Sequence, residues 1–305
     1  MIYILLASYN GEKFIEEQLR SLLAQTEQNF ILFVNDDKST DNTYKILQEY
    51  SKMYPEKIFA TQNDTNSGSA KHNFFKLMTE CKSDYVMLCD QDDIWLPDKI
   101  EKTLKKMHEL EHKYSKDTPI AIRTNLTVVD ENLKIIKKSM WTKIRQINRN
   151  INLRTVLGCN VITGCTAMYN RALADLIFGN PKYFIMHDYW LALIACAFGK
   201  VGSLLQPTIL YRQHANNCVG FKKTKSNSCD LYNTFYQAHS FLDVYSTSIS
   251  KKNLKLINSY IQIPKMNKVC RVWTMVKLRT FCSGGPLKKI LHVLLIFRSK
   301  KLTGY

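Results

Sequence analysis

The sequence predicts an α/β protein built on a doubly wound, mostly parallel sheet with helices on both faces. Three observations point to it. The first half of the 305 residues alternates strand-length apolar runs with amphipathic helical stretches. Its strands read as continuous apolar runs, as in strands buried on both faces, and not as an alternating pattern. Each run also ends in a polar cluster, and parallel sheets place their ligands at the carboxyl ends of strands.

The elements follow in order. "IYILLAS" is a buried strand, and "YNGEK" turns into a helix whose Ile15, Leu19 and Leu22 form one apolar stripe. "FILFV" is the second strand and ends at Asn35-Asp36-Asp37. "STDNTYKILQEY" opens with capping residues and runs helical, with Tyr44, Leu47 and Met53 facing inward. "KIFATQ" is a short strand, "NDTNSGS" a loop and "AKHNFFKLMTEC" a helix. "YVMLC" delivers the acidic stretch "DQDD". "PDKIEKTLKKMHEL" then starts a helix with Pro97 in its first turn and Asp98 near the positive end of the dipole. Strand–helix–strand crossovers of this kind imply a parallel sheet.

The second half is less regular. "IAIRTNLTVVD" is a strand with a small partner near "LKIIKKS". "LGCNVITGCTAMYN" precedes a helix at "RALADLIFG", "HDYWLALIACAFG" is an apolar helix, and "TILYRQHANN" is a strand leaving into a polar loop. The pattern changes at Phe221, so the sequence divides into a domain at 1–220 and a basic, mainly helical C-terminal extension at 221–305. No internal repeat is present.

Composition narrows the class. Hydrophobic residues make up 45%, a globular value, and no apolar run reaches membrane-spanning length. The first residues lack the basic region and cleavage site of a signal peptide. Nine cysteines, an odd number without metal or redox spacing, read as small buried hydrophobes in a reducing, cytoplasmic compartment. The net charge of +17 is uneven. Residues 1–118 hold 15 Lys and Arg against 20 Asp and Glu, whereas residues 119–305 hold 28 against 6. A basic rear half suggests an anionic partner: phospholipid, a phosphorylated substrate or nucleic acid.

Asp90, Asp92 and Asp93 crowd three carboxylates at one strand end. Their repulsion is unfavourable unless a cation sits among them, and the bland alternative is a solvated turn capping the next helix. "LLASYNGEKFIEEQLRSLLAQT", "VNDDKSTDNT", "CDQDDIWLPDKI", "TGCTAMYNRAL", "HDYWLALIACAFGK" and "LYRQHANN", six segments in order across residues 1–220, resemble the family 2 glycosyltransferases of bacterial polysaccharide synthesis, in particular their rhamnosyltransferase-like branch.

The resemblance implies a GT-A fold, a nucleotide-sugar donor, Mg²⁺ or Mn²⁺, and inverting transfer. It makes Asp92 the direct metal ligand and gives Asp90 ribose or a metal-bound water. It makes Asp37 the acceptor for a uracil or thymine N3–H, so UDP and dTDP are not distinguished. Ala7, Ser8 and Tyr9 flank base and ribose. Asn66 and Gly68 shape a loop near the nucleotide. Lys71 and Arg212 are candidates for phosphate contact, with a surface lysine the bland reading of Lys71. His214 is a candidate metal ligand or diphosphate contact, or a structural histidine.

Asp188 matches the family's catalytic base, with His187 orienting it, although a carboxylate at a helix start is often only a cap. Asp93, Trp95, Gly164, Cys165, Thr166, His187 and Trp190 fall to the acceptor and sugar pocket, with the core as the alternative for Trp190. Two departures stand out. Lys38 replaces a common Gly, and Thr124-Asn125 replaces Ser-Asp. The expected acceptor is a lipid-linked or growing glycan. "PLKKILHVLLIFRSKK", with Ile290, Leu294 and Phe297 on one face, is a candidate contact to the inner membrane surface, the alternative being a C-terminal helix packed on the domain with solvated lysines.

Two other classes compete. A sugar nucleotidyltransferase also pairs such a sheet with carboxylate-bound Mg²⁺, but it needs a Gly-rich basic loop that "LLASYNGEKF" does not supply. A nucleic-acid-binding protein fits the charge but lacks a recognisable motif.

Overall fold

A computed structural model describes residues 1–141, 151–215, 217, 228–278 and 280. The chain forms two compact units. The first comprises Met1–Arg149, Ile162–Ile177 and Gly199–Lys222; the second comprises Asn150–Val161, Phe178–Phe198 and Lys223–Tyr305. The second unit therefore takes in two segments upstream of residue 220 in addition to the C-terminal helices.

The first unit carries one nine-stranded sheet. Its strands are β1 (Ile2–Ser8), β2 (Phe30–Asp36), β3 (Ile58–Gln62), β4 (Tyr85–Asp90), β5 (Ile94–Trp95), β6 (Ile120–Asp130), β7 (Ile135–Lys137), β8 (Ala167–Asn170) and β9 (Lys200–Gln213). They are ordered β3-β2-β1-β4-β8-β6-β9-β5, with β7 on β6. The first four are mutually parallel, and α1 (Ile15–Leu23), α2 (Thr43–Met53) and α3 (Ala70–Glu80) lie on the crossovers. β8 then runs antiparallel between β4 and β6, while β6 and β9 are parallel again. This is the GT-A arrangement, a mostly parallel sheet with helices.

The apolar stripe of α1 is buried as its spacing demands, with Ile15, Leu19 and Leu22 each at 0% exposure. In α2 the inward residues are Leu47 and Tyr50, whereas Met53, expected inside, is 59% exposed at the last turn. Helix α4 (Lys99–Tyr114) begins after Asp98, so Pro97 lies before the helix and not in its first turn. Asp98 pairs with Lys102 one turn on. Gly199 opens β9 beside Pro119. A Cβ there would stand 1.7 Å from the Pro119 carbonyl oxygen, so only glycine lets Lys200 N donate to that oxygen at 2.9 Å.

The second unit is helical: α5 (Leu153–Gly158), α7 (His187–Phe198), α8 (Ser228–Tyr245), α9 (Lys251–Ile261) and α10 (Lys268–Leu278), while the short α6 (Arg171–Ala174) belongs to the first. α7 is apolar on all sides because it is buried on all sides. Trp190 in its first turn packs edge-on against Phe241, with ring centroids 5.4 Å apart, and beside Phe184 and Tyr245. Asn253 Nδ2 donates to Ala197 O at 2.8 Å and ties α9 to α7. Among the described residues no helix is long and apolar enough to cross a membrane. The segment "PLKKILHVLLIFRSKK" lies outside the described residues.

Candidate active site

Sheet register brings three polar strand ends to one level. Ala7 of β1 is paired with Asn35 of β2 and Asp90 of β4, and Ser8 with Asp36. Side chains then lock the ends together. Ser8 Oγ donates to Asp36 Oδ1 at 3.0 Å, and Asp37 N donates to Ser8 O at 2.8 Å. Gln91, inside the acidic stretch, grips the Tyr9 peptide from both sides: Tyr9 N donates to Gln91 Oε1 at 2.9 Å, and Gln91 Nε2 donates to Tyr9 O at 3.0 Å. A Cβ at Gly11 would meet Gln91 Oε1 at 2.3 Å, so a side chain there would displace the Gln91 amide from the Tyr9 backbone. Asn10, at φ 46°, accepts from Thr40 N at 2.9 Å, so Asn10-Gly11 is the strand-to-helix turn. Tyr9 itself is 47% exposed at this edge, beside the buried Ala7.

Asp37 is 3% exposed, and its carboxylate is organised by the loop after β3. Oδ1 accepts from Asn63 Nδ2 and Ser67 N, both at 2.8 Å, and Oδ2 accepts from Ser67 Oγ at 2.7 Å. A carboxylate offers about four lone-pair sites, so one acceptor position remains for another donor. Asn66 Nδ2 donates to the Asp37 carbonyl at 2.7 Å, and its Oδ1 accepts from Gly68 N at 2.7 Å, holding Gly68 at φ 79°. Lys71 follows in the first turn of α3. Lys38 sits at φ 63°, in the left-handed region, which accounts for the glycine common at this place.

The acidic turn is held from behind by Arg212 near the end of β9. Its backbone N donates to Asp93 Oδ1 at 3.1 Å, Nε to Asp92 O at 2.9 Å and Nη1 to Glu131 O at 2.7 Å, while Nη2 pairs with Glu17 of α1. Its guanidinium also stacks 4.6 Å from the Phe14 ring. The cation assigned to phosphate from the sequence is thus buried and committed to the turn that carries the carboxylates. Two residues on, His214 Nε2 lies 2.7 Å from Asp92 Oδ2, and Asn217 Nδ2 donates to the same oxygen at 3.1 Å.

Beneath this lies a cluster of ionisable groups, with Asp93 and Cys165 buried and Asp90 half-buried. Asp90, Asp93 and Cys165 bring ligand atoms within 4.8 Å of one another. Burial, then the neighbouring Asp92 and Asp90, holds the Asp93 carboxyl well above the usual carboxylate range. Lys99, fully buried in the first turn of α4, has its ammonium 4.5 Å from the Trp95 ring centroid. Burial brings its pKa down to about 8, against the opposing pull of Cys165, Cys89 and Asp93. Burial also pushes the Cys165 and Cys89 thiols far up, which disfavours the thiolate at both.

The first unit therefore gathers Ala7, Tyr9, Asp37, Asn66, Gly68, Asp90, Asp92, Asp93, Arg212 and His214 at its carboxyl edge. Trp95 departs from the pocket reading: at 1% exposure it is core, packed under the turn. Gly164, Cys165 and Thr166 form a buried 3₁₀ turn whose Thr166 Oγ1 donates to Thr163 O at 2.7 Å. His187, Asp188 and Trp190 belong to the second unit at the start of α7, and burial lowers the His187 pKa to about 3.

The Thr124-Asn125 departure has a local cause. Asn125 Nδ2 donates to Ser139 Oγ at 2.7 Å and Leu205 O at 3.0 Å, and its Oδ1 accepts from Leu126 N and Trp141 N. An aspartate could not make those two donations. Glu17, Gln91, Asn63, Ser67 and Asn217 escaped the sequence reading. Gln91, Glu17 and Asn217 each lie inside a segment quoted for the family resemblance, and none is singled out there.

The model of glycosyl transferase family 2 matches residues 3–178. The dTDP-rhamnosyl transferase RfbG of Shigella flexneri is 28% identical over 233 residues, covering 70% of this chain and 73% of that protein. A putative teichuronic acid biosynthesis glycosyltransferase of Bacillus subtilis, TuaG, is 36% identical over 109 residues, covering 36% of this chain and 42% of that protein. Among solved structures, S. aureus TarS 1-349 in complex with UDP superposes with a TM-score of 0.58 at 18% identity, covering 88% of this chain and 73% of that one. The mannosyltransferase PcManGT of Pyrobaculum calidifontis, in complex with GDP-Man and Mn²⁺, gives 0.52 at 14% identity, covering 96% and 78%. At these identities the two structures speak to fold alone.

Proposed function

The chain belongs to glycosyl transferase family 2, and from that premise we propose that it is an inverting, metal-dependent enzyme of cell-surface glycan synthesis. It moves a sugar from a nucleoside-diphosphate donor to a lipid-linked or growing polysaccharide acceptor. The observation that carries this reading is the convergence of Asp37, Asp90, Asp92 and His214 at one sheet edge. The names of the Shigella and Bacillus relatives support a polysaccharide product and make dTDP-L-rhamnose the first donor to try.

The residues present fit Mg²⁺ or Mn²⁺. Asp92 Oδ2 and His214 Nε2 converge at 2.7 Å, partly open to solvent, and Asp90 ends the adjoining strand. Oxygen with imidazole suits these ions better than the Asp90–Asp93–Cys165 group, whose buried thiol favours softer metals. When bound there, the ion would offset the charge of the diphosphate and of the departing nucleoside diphosphate.

The chain's own groups have separate tasks. Asp37 uses its remaining lone pair to accept the base N3–H, a donor that uracil and thymine share. Arg212, with Glu17 and Glu131 behind it, fixes the backbone that presents Asp92. Asp188 takes the proton of the acceptor hydroxyl as that oxygen attacks the anomeric carbon. One displacement inverts the anomeric centre, so no enzyme nucleophile is needed. The work is assigned to the cytoplasmic side of the cell membrane, where the basic C-terminal residues 286–301 favour anionic lipid.

A panel of dTDP- and UDP-sugars tests the reading by nucleoside diphosphate release. One donor should be turned over, turnover should stop with EDTA, and Mn²⁺ or Mg²⁺ should restore it. Release of pyrophosphate in place of nucleoside diphosphate, or turnover indifferent to EDTA, would contradict it.

A further inference from the structure

Helix α10 buries Met275 but turns three of its apolar residues outward. Arg271 is 2% exposed, with Nε donating to Met266 O and Nη2 to Pro264 O, both at 2.8 Å. Met275, one turn on, is fully buried. The outward stripe is Val269, Trp273 and Val276, exposed by 72%, 62% and 52% at spacings of four and three. Lys268 precedes the stripe, and the Lys277 ammonium stands 4.7 Å from the Trp273 ring. A shallow groove continues onto α9, where Lys251 and Lys255 flank Leu254 beside Trp273.

Charge identifies the occupant. Residues 244–305 hold thirteen Lys and Arg and no Asp or Glu. A second copy would bring the same cations face to face, which disfavours self-association through this face. An aromatic and aliphatic stripe rimmed by lysines is the pattern of a helix lying at a bilayer interface. The indole suits the headgroup layer, lysine stems extend their ammonium groups to phosphates, and the excess of positive charge in residues 244–305 attracts anionic lipid.

We propose that the α9–α10 face of the second unit docks on an anionic phospholipid surface. Val269, Trp273 and Val276 enter the headgroup layer, and Lys251, Lys255, Lys268 and Lys277 meet lipid phosphates. This surface is distinct from the basic segment 286–301, and it rests on exposure and charge, not on the donor-site reading.

The test is flotation of the full chain with vesicles of phosphatidylcholine, alone or mixed equally with phosphatidylglycerol. Binding should require phosphatidylglycerol and weaken with salt. Trp273→Ala should weaken it about tenfold, and Lys277→Gln about fivefold. Brominated lipid should quench tryptophan emission in the parent chain and lose that effect in Trp273→Phe. Far-UV dichroism and nucleoside diphosphate release should be unchanged in each variant, which separates loss of docking from loss of fold or of the donor site. Absence of binding to anionic vesicles would overturn the proposal. So would binding unaltered by Trp273→Ala, which would assign docking to residues 281–305. Self-association abolished by Trp273→Ala, or RNA binding tighter than vesicle binding, would overturn it as well.

Discussion

His214 Nε2 and Asp92 Oδ2 stand 2.7 Å apart, one from the end of β9 and one from the turn after β4. They are separated by 122 residues and joined by the sheet topology that puts β5 against β9. If they share a divalent ion, each substitution should raise the metal concentration needed for half-maximal activity. Asp92→Asn should lower kcat/KM by about 100-fold or more, and His214→Ala by about 10- to 100-fold. A Mn²⁺ titration of donor turnover checks both.

Arg212 and Glu17 should separate stability from activity. Arg212 is buried and linked to Asp92, Asp93, Glu131 and Glu17, so Arg212→Ala should cost about 3 kcal/mol in urea unfolding. Glu17 is half exposed. Glu17→Gln should therefore change stability by less than about 1 kcal/mol and lower activity about tenfold through a loosened turn.

Lys38 at φ 63° predicts a stabilising substitution. The left-handed region costs an L-residue about 1 kcal/mol, partly offset by the greater chain entropy of glycine. Lys38→Gly should raise unfolding stability by about 0.5 kcal/mol, whereas Lys38→Val should lower it. Matched thermal melts decide the sign.

The acid limb of stability should report His187. Burial lowers its pKa from 6.5 to about 3, so between these values the unfolded chain binds a proton that the native chain does not. Stability therefore falls as pH drops below 6.5, by up to about 1.4 kcal/mol per pH unit. His187→Asn should flatten that slope in urea midpoints taken at about pH 7 and about pH 5.

Much of this architecture was legible in the chain. Buried strands such as β1 and β4 read as continuous apolar runs because both faces of the sheet are covered, and β6 spans the segment read as a strand, Ile120–Asp130. Motif order placed Asp37, Asp90 and Asp92 at the carboxyl edge. What stayed hidden depends on tertiary partners. Met53 fits the helical stripe of α2, but the last turn overhangs the core. Arg212 reads as a phosphate ligand until its three nitrogens are seen bonded to the protein. Glu17 looks like any surface carboxylate on α1 until β9 arrives beside it. Trp95 follows an acidic motif, yet it packs beneath Lys99. Lys38 in place of a common Gly was visible in the sequence, but the left-handed backbone at that position was not, since no propensity assigns it to lysine.

The most direct measurement is single-turnover sugar transfer by Asp188→Asn, read beside nucleoside diphosphate binding by the same variant in Mn²⁺. Asp188 is assigned the acceptor's proton, and the carboxylates after β4 are assigned the leaving group. Transfer should therefore fall by about 100- to 10,000-fold while nucleotide affinity stays at the parent value. Transfer that survives the substitution would contradict the account, because the proton would then leave by another group.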